Sequence, residues 1–149
     1  MKKIASNIII RRPVEEVFAF VSNFENDTKW WLNVTESTII SKVRSGIGTQ
    51  YKQSAQFMGQ RFDSILEITE YVPPQQVTLR SIQSAIPFVA YFTFEAVPEG
   101  TRFTMIAQVQ GTGFYKWVQP LFNRLLQSTT NKFFIKLKNL LENTGIDRV

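Results

Sequence analysis

The sequence predicts an α+β fold in which a curved, seven-stranded antiparallel sheet wraps around one long C-terminal helix, with one or two short helices after the first strand. Two patterns carry this prediction: apolar residues alternate with polar ones from position 34 to about 110, and a helical repeat follows to the end. The turns between the alternating segments are short, which favours hairpins and hence antiparallel pairing. With 149 residues, 44% of them hydrophobic, the chain fits a single domain spanning 1–149.

The first thirty residues predict one strand and one or two short helices. Ile4–Ile10 is rich in β-branched residues and reads as a strand. Pro13 is well placed to begin a helix whose apolar face includes Val17 and Phe18. In the segment Phe24–Trp31, aromatic residues flank a polar stretch, which predicts a second short helix or a turn with Trp30 or Trp31 in the core.

Six further strands are predicted from the alternating pattern. They are Val34–Val43, Thr49–Met58, Arg61–Tyr71, Gln76–Ala85, Phe88–Val97 and Arg102–Gln110. Gly59 and Gly100 lie in two of the predicted hairpin turns. Strands twisted in this way curl around a covering helix, and the space between is a natural ligand pocket.

The last element is a helix predicted over Phe114–Glu142. Its apolar positions recur at spacings of three and four: Val118, Phe122, Leu125, Thr129, Phe133, Leu137 and Leu140. The polar residues 127–131 interrupt this stripe. Two interpretations are open: the helix covers a cavity there, or these residues face solvent and only Thr129 packs.

Composition excludes several classes of function. The net charge is +5, and most of the positive surplus lies on the last helix. We interpret these basic residues as the solvent-facing side of an amphipathic helix. Contact with a membrane surface is possible but not favoured, and no nucleic-acid partner is predicted. The absence of cysteine, of an export signal and of a membrane-length apolar run leads us to expect a cytoplasmic protein.

Acid, base and metal chemistry is poorly represented. The chain has no histidine and no cysteine, so triads built on them are excluded, and neither a metal nor an organic cofactor is expected. The remaining candidates are Asp63, Glu67, Glu70, Glu95, Arg80, Tyr51, Tyr71, Tyr91 and Tyr115. Strand parity places Asp63 and Glu67 in solvent, and no catalytic residue is predicted. The triplets 26–28 and 33–35 match a glycosylation sequon, which without export predicts nothing.

Several local signatures resemble those of the START-like or SRPBCC superfamily of helix-grip proteins, particularly its polyketide cyclase/dehydrase-like branch. They are the segments 12–18, Asn26 with Trp30, 46–49, 69–74, 99–103 and 137–142. The resemblance covers nearly the whole chain. It implies a single helix-grip domain with a deep apolar cavity between sheet and final helix, a cavity used across the superfamily for lipids, sterols, hormones and polyketides.

The predicted ligand-binding residues combine this cavity with strand parity. They are Tyr51, Gln53, Phe57, Ser64, Leu66, Ser81, Gln83, Phe92, Phe94, Phe103, Met105, Phe122, Leu125, Thr129 and Phe133, with Ala55, Phe62, Leu79 and Ala107 on the same faces. The four polar strand residues among them are informative, because a buried polar group needs a partner. They either bind a ligand's polar end or a trapped water, or face solvent beyond a β-bulge.

These observations lead us to expect a protein that binds a small hydrophobic molecule. One alternative is a cofactor-free polyketide cyclase or dehydratase that uses a carboxylate, Arg or Tyr of the cavity. Another is an interaction module that uses the basic C-terminal helix. The sequence does not predict the oligomeric state.

Overall fold

The computed structural model describes residues 2–57, 59–109 and 115–147, apart from the side chains of 2, 115–123, 126 and 144–147. The strands are β1 Lys2–Ile10, β2 Val34–Ile39, β3 Gln50–Phe57, β4 Gln60–Val72, β5 Gln76–Gln83, β6 Phe88–Val97 and β7 Gly100–Val109. The helices are α1 Val14–Val21, α2 Asp27–Trp30 and α3 Tyr115–Asp147, with a 3-10 turn at Phe24–Asn26 before α2. Within these described residues, no helix is long and apolar enough to cross a membrane.

The sheet confirms the predicted architecture. Its order is β1-β7-β6-β5-β4-β3-β2, and every neighbouring pair is antiparallel. From β2 to β7 each strand pairs with the next one along the chain, as hairpin connections require. β2 is shorter than predicted because Ser41 turns the chain, its hydroxyl accepting from the Gln50 N–H at 2.9 Å and donating to the Val43 carbonyl at 2.6 Å.

Aromatic rings join the sheet to the helices. Of the two neighbouring tryptophans, Trp30 is fully buried in the core, whereas Trp31 is half-buried. The Trp30 ring lies 5.8 Å from that of Phe134 on α3, and Phe134 stacks on Phe103 of β7 at 5.0 Å. These contacts fix where α2 and α3 sit on the sheet.

The buried face of α3 differs from the predicted one. Phe133 and Leu137 are buried as expected, but so are Thr130, Phe134 and Leu141. Leu125 is 43% exposed, and Thr129 is only half-buried and donates its hydroxyl to the Leu125 carbonyl. The buried face of the helix is therefore turned towards β1 and α2. Its contacts are made by Phe134 against Trp30 and by polar side chains, as well as by the apolar stripe.

Polar side chains of α3 close the outer edge of β1. Gln127 Nε2 donates to the Ala5 carbonyl at 2.9 Å, and Lys138 Nζ donates to the Ile9 carbonyl at 2.7 Å. Glu142 accepts from Lys138 at 2.6 Å and from the Arg11 N–H at 2.9 Å. The polar interruption of the stripe thus provides partners for an edge strand, and the prediction that only Thr129 packs there is wrong.

Candidate functional site: a cavity between the sheet and the helices

A cavity of about 260 Å³ lies between the inner face of the sheet, α2 with the loop that follows it, and α3. Its wall is mostly apolar: Ile4, Trp31, Val34, Ala55, Phe57, Phe62, Leu66, Leu79, Ile86, Phe88, Ala90, Phe92, Met105, Ala107 and Val109. The polar lining residues are Asp27, Asn33, Gln53, Ser84 and Thr130. This volume is slightly below the usual range of about 300–1,000 Å³ for ligand pockets and suits a small guest.

Five of the predicted ligand-binding residues line the cavity, and so do all four residues expected on the same faces, Ala55, Phe62, Leu79 and Ala107. The five are Gln53, Phe57, Leu66, Phe92 and Met105. They come from four different strands, β3, β4, β6 and β7, so the sheet's curvature brings them together. Gln53 is the only one of the four polar strand residues singled out above that reaches the cavity, among the described residues.

Four other predicted residues are buried in the core beside the cavity and do not line it. The Tyr51 ring packs edge-on against Phe24 at 5.6 Å, and Phe94 packs against Phe18 at 5.1 Å. Phe103 and Phe133 belong to the same core, through the stack on Phe134 and a 5.3 Å contact with Trp31. These side chains support the cavity wall from behind.

The remaining polar strand residues do not line the cavity: a β-bulge turns Gln83 outward, whereas Ser64 and Ser81 are hydrogen-bonded to neighbouring strand and loop atoms. The pairing of β4 and β5 shifts between Ile65 and Leu66, opposite Ser81 and Gln83, which leaves Gln83 exposed. Ser81 Oγ instead binds the backbone of Phe88, accepting from its N–H at 2.9 Å and donating to its carbonyl at 3.2 Å. Ser64 Oγ is hydrogen-bonded to Ser84 Oγ at 2.9 Å.

On α3, Leu125 and Thr129 do not line the cavity either, because the helix is rotated from the predicted phase. Among the α3 side chains that the structure describes, Thr130 is the one that does. The predicted residue Phe122 has its side chain outside the described residues.

Asp27 is one of four polar cavity residues that sequence reasoning missed, the others being Asn33, Ser84 and Thr130. It is the first residue of α2 and only 5% exposed, and its Oδ2 accepts a 2.7 Å hydrogen bond from Gln53 Nε2. Gln53 also donates to Ser37 Oγ at 3.1 Å, and Ser37 donates to the Phe24 carbonyl at 2.8 Å. A signal was present in the spacing, since Asp27 precedes Trp30 by three positions and so shares its helix face.

Burial raises the pKa of Asp27 to about 8, and the hydrogen bond from Gln53 opposes this shift only in part. The carboxyl is therefore mainly protonated at pH 7. Three buried polar atoms have no hydrogen-bond partner within the described part of the chain: Asp27 Oδ1, Trp30 Nε1 and Asn33 Oδ1. All three belong to the short segment 27–33, and two of the three residues line the cavity.

The acid and base candidates named from the sequence lie away from the cavity. Asp63 is exposed, and hydrogen bonds from Ser54 and Arg61 lower its pKa. Glu67 pairs with Gln50, Glu70 with Thr78, and Glu95 with Arg102, all across neighbouring strands. Arg80 and Tyr91 are exposed, and Tyr51 and Tyr71 do not line the cavity. The side chain of Tyr115 is not among those that the structure describes. The described residues contain no cluster of acidic side chains that could hold a metal ion.

Residues 1–142 match the family model described as "Polyketide cyclase / dehydrase and lipid transport". The chain belongs to this family. This match confirms the resemblance to the polyketide cyclase/dehydrase-like proteins that was inferred from the sequence. A comparison with curated proteins gave no match.

Several solved structures share the fold of this protein. TTHA0849 from Thermus thermophilus has a TM-score of 0.81 at 18% identity, covering 93% of this chain and 95% of that one. The Aha1 dimer from Colwellia psychrerythraea has a TM-score of 0.69 at 18% identity, with coverage of 95% and 97%. Ara h 8.0201 has a TM-score of 0.70 at 11% identity, with coverage of 94% and 97%. At these identities the likeness shows the helix-grip fold alone.

Proposed function

We propose that the protein binds a small hydrophobic molecule in the cavity between the sheet and α3. The observation that carries this proposal is the cavity itself: about 260 Å³ inside a wall of mainly aliphatic and aromatic side chains, with polar groups at α2 and the loop after it. Protein interiors are otherwise packed to near crystal density, so an unfilled apolar space of this size is costly to keep. Membership of a family whose description includes lipid transport supports the same function.

Titration with propylbenzene, followed by NMR chemical shifts, tests the proposal. The unaltered protein is expected to show saturable shifts of cavity-lining residues. Ala107→Leu places extra side-chain volume in the cavity and should weaken binding at least about tenfold, since added atoms overpack the guest's space. Ala96→Leu, at an exposed position of β6, is the matched control and should bind as the unaltered protein does.

Two results would contradict the proposal. One is the absence of saturable shifts in the unaltered, folded protein. The other is equal binding by Ala107→Leu and the unaltered protein, which would place the guest elsewhere.

A second candidate function is a cyclase or dehydratase that uses Asp27 for proton transfer. The specific observation that favours it is a buried carboxyl on the cavity wall with a pKa of about 8, close to the value a general acid or base needs at neutral pH. In that case Asp27→Asn abolishes turnover of an aromatic polyketide-like substrate while still binding it. Asp63→Asn, the exposed control, leaves turnover intact. Equal turnover by Asp27→Asn and the unaltered protein would dismiss this candidate.

A further inference from the structure

We propose that Asp27 and Asn33 form the recognition end of the cavity and select an uncharged ligand that carries a hydroxyl group on a compact apolar body. This inference rests on the proposed ligand-binding function and adds the chemical class of the ligand. It stands on the position of both residues on the cavity wall and on their unpartnered oxygen atoms.

The hydrogen-bond inventory of the two residues sets the chemistry of the missing partner. Asp27 Oδ2 already accepts from Gln53, whereas Asp27 Oδ1 and Asn33 Oδ1 have no partner among the described residues. Buried polar atoms of this kind are normally satisfied by water or by a ligand. Both residues already line the cavity, so a guest there is positioned to supply the missing partner.

The protonation of Asp27 makes these two groups complementary. Its carboxyl is mainly neutral at pH 7, so it is able to donate through its O–H, while Asn33 Oδ1 accepts. A ligand hydroxyl within reach of both oxygens would satisfy them together, because it accepts from Asp27 and donates to Asn33. A ketone or an ester only accepts, so it leaves the acceptor atom Asn33 Oδ1 without a donor.

The lack of a positively charged side chain on the described cavity wall argues against ligands that carry a carboxylate instead of a hydroxyl. No lysine or arginine is among the described residues that line the cavity. A ligand carboxylate would therefore be buried without a counter-ion, which is strongly unfavourable. The carboxyl of Asp27 adds a like charge whenever it ionises.

The cavity volume limits the size of the apolar body. An apolar cavity of about 150 Å³ accommodates benzene, so by proportion the larger cavity takes a molecule of about ten non-hydrogen atoms. A phenylpropyl alcohol has this size, whereas a sterol or a four-ring polyketide does not fit without enlargement of the cavity.

Isothermal titration calorimetry with a matched series tests the inference: 3-phenylpropan-1-ol, propylbenzene, 3-phenylpropanoate and 3-phenylpropylamine. The alcohol is expected to bind at least about tenfold more tightly than propylbenzene, and the carboxylate more weakly than either. The doubly substituted Asp27→Leu/Asn33→Leu protein should bind propylbenzene but prefer the alcohol by less than about twofold. Asp63→Asn should retain the full preference. If the double variant does not fold, Asn33→Leu alone is used, and it should lose most of the preference.

Each outcome separates this inference from the proposed function. Propylbenzene and the alcohol binding equally well to the unaltered protein would overturn the inference and leave hydrophobic binding intact. Tighter binding of the carboxylate or the amine would overturn it in favour of a charged ligand. A preference for the alcohol that survives in the variants would place recognition elsewhere. Failure of the whole series to bind would overturn both proposals.

Discussion

At the scale of single residues, the hardest feature to predict was whether a polar side chain faces the interior or solvent. The sequence predicted an inward Gln53 correctly, because strict alternation along β3 holds through that position. It missed Asp27, since a carboxylate in a short polar segment is ordinarily exposed and only the spacing to Trp30 indicated otherwise. For Gln83 it left both an inward position and a solvent-facing one beyond a bulge open, because a bulge leaves no mark on an alternating pattern, and the structure shows the second.

Asp27 makes folding stability fall as pH rises. The folded protein keeps this proton up to about pH 8, whereas the unfolded chain releases it near pH 3.8, so between these values unfolding releases a proton. The free energy of unfolding then drops by up to about 1.4 kcal/mol per pH unit relative to Asp27→Asn, which has no proton to lose. Tyr51, a titratable group close to Asp27, stays protonated in this range because burial raises its pKa to about 12.

Urea unfolding at about pH 5 and about pH 7.5 measures this difference. Asp27→Asn should gain stability relative to the unaltered protein as pH increases over that window. Asp63→Asn is the control, because the pKa of Asp63 is lowered and its carboxylate stays ionised throughout the window, so its effect should not change with pH. Parallel pH profiles for Asp27→Asn and the unaltered protein would mean that Asp27 is ionised in the folded state.

Gly100 provides a second prediction at a single position. Its φ is +144°, and a Cβ added there would lie 2.3 Å from the Ile10 carbonyl oxygen. Gly100→Ala should therefore lower the free energy of unfolding by at least about 2 kcal/mol more than Gly59→Ala, because the obstacle is backbone. Gly59 also has a positive φ, +78°, but a Cβ there meets nothing within 4 Å, so it isolates the conformational cost. Chemical denaturation compares the two, and equal losses would contradict the steric argument.

At the scale of elements, periodicity predicted which segments form strands and helices, and tertiary contacts decided how they are oriented. The alternation from β3 to β7 placed the strands to within a few residues. The phase of α3 was not predictable from its apolar spacing, because Gln127 and Lys138 bind backbone carbonyls of β1 and Phe134 meets Trp30. Such contacts join residues about a hundred or more positions apart.

Lys138 tests the importance of this attachment. Lys138→Met removes the hydrogen bond to the Ile9 carbonyl and the ion pair with Glu142, and should cost about 1–2 kcal/mol of unfolding free energy. Burial alone would raise the pKa of Glu142, but hydrogen bonds from Lys138 and the Arg11 N–H lower it. The loss should therefore shrink in acid, once Glu142 is protonated. Lys136→Met, at an exposed position of the same helix, should change stability by less than about 0.5 kcal/mol.

At the scale of the whole molecule, strand curvature and the covering helices create a space that no single element encloses. The existence of a cavity was predictable from the resemblance and from the order of elements. Its polar end was not, since it depends on how α2 and the following loop are seated on β3. Residues such as Phe94 and Phe103 were assigned to the cavity because a sequence pattern separates the two faces of a sheet but not the depth within one face.

Filling the cavity should stabilise the entire fold. Propylbenzene at about one hundred times its dissociation constant adds about 2.7 kcal/mol, which corresponds to a rise in Tm of about 5–10 °C for a chain of this size. Differential scanning calorimetry measures this shift. Ala107→Leu should show a much smaller rise at the same concentration, and an equal rise would mean that the stabilising guest binds outside the cavity.

The attachment of α3 along β1 has a consequence for self-association. While the helix is docked, its side chains occupy carbonyl groups that an exposed edge strand would offer to a neighbouring chain. Undocking the helix exposes the β1 edge and the apolar core at the same time. Aggregation on mild heating should therefore begin from molecules whose C-terminal segment has come loose while their sheet is still intact, and a bound guest should delay it.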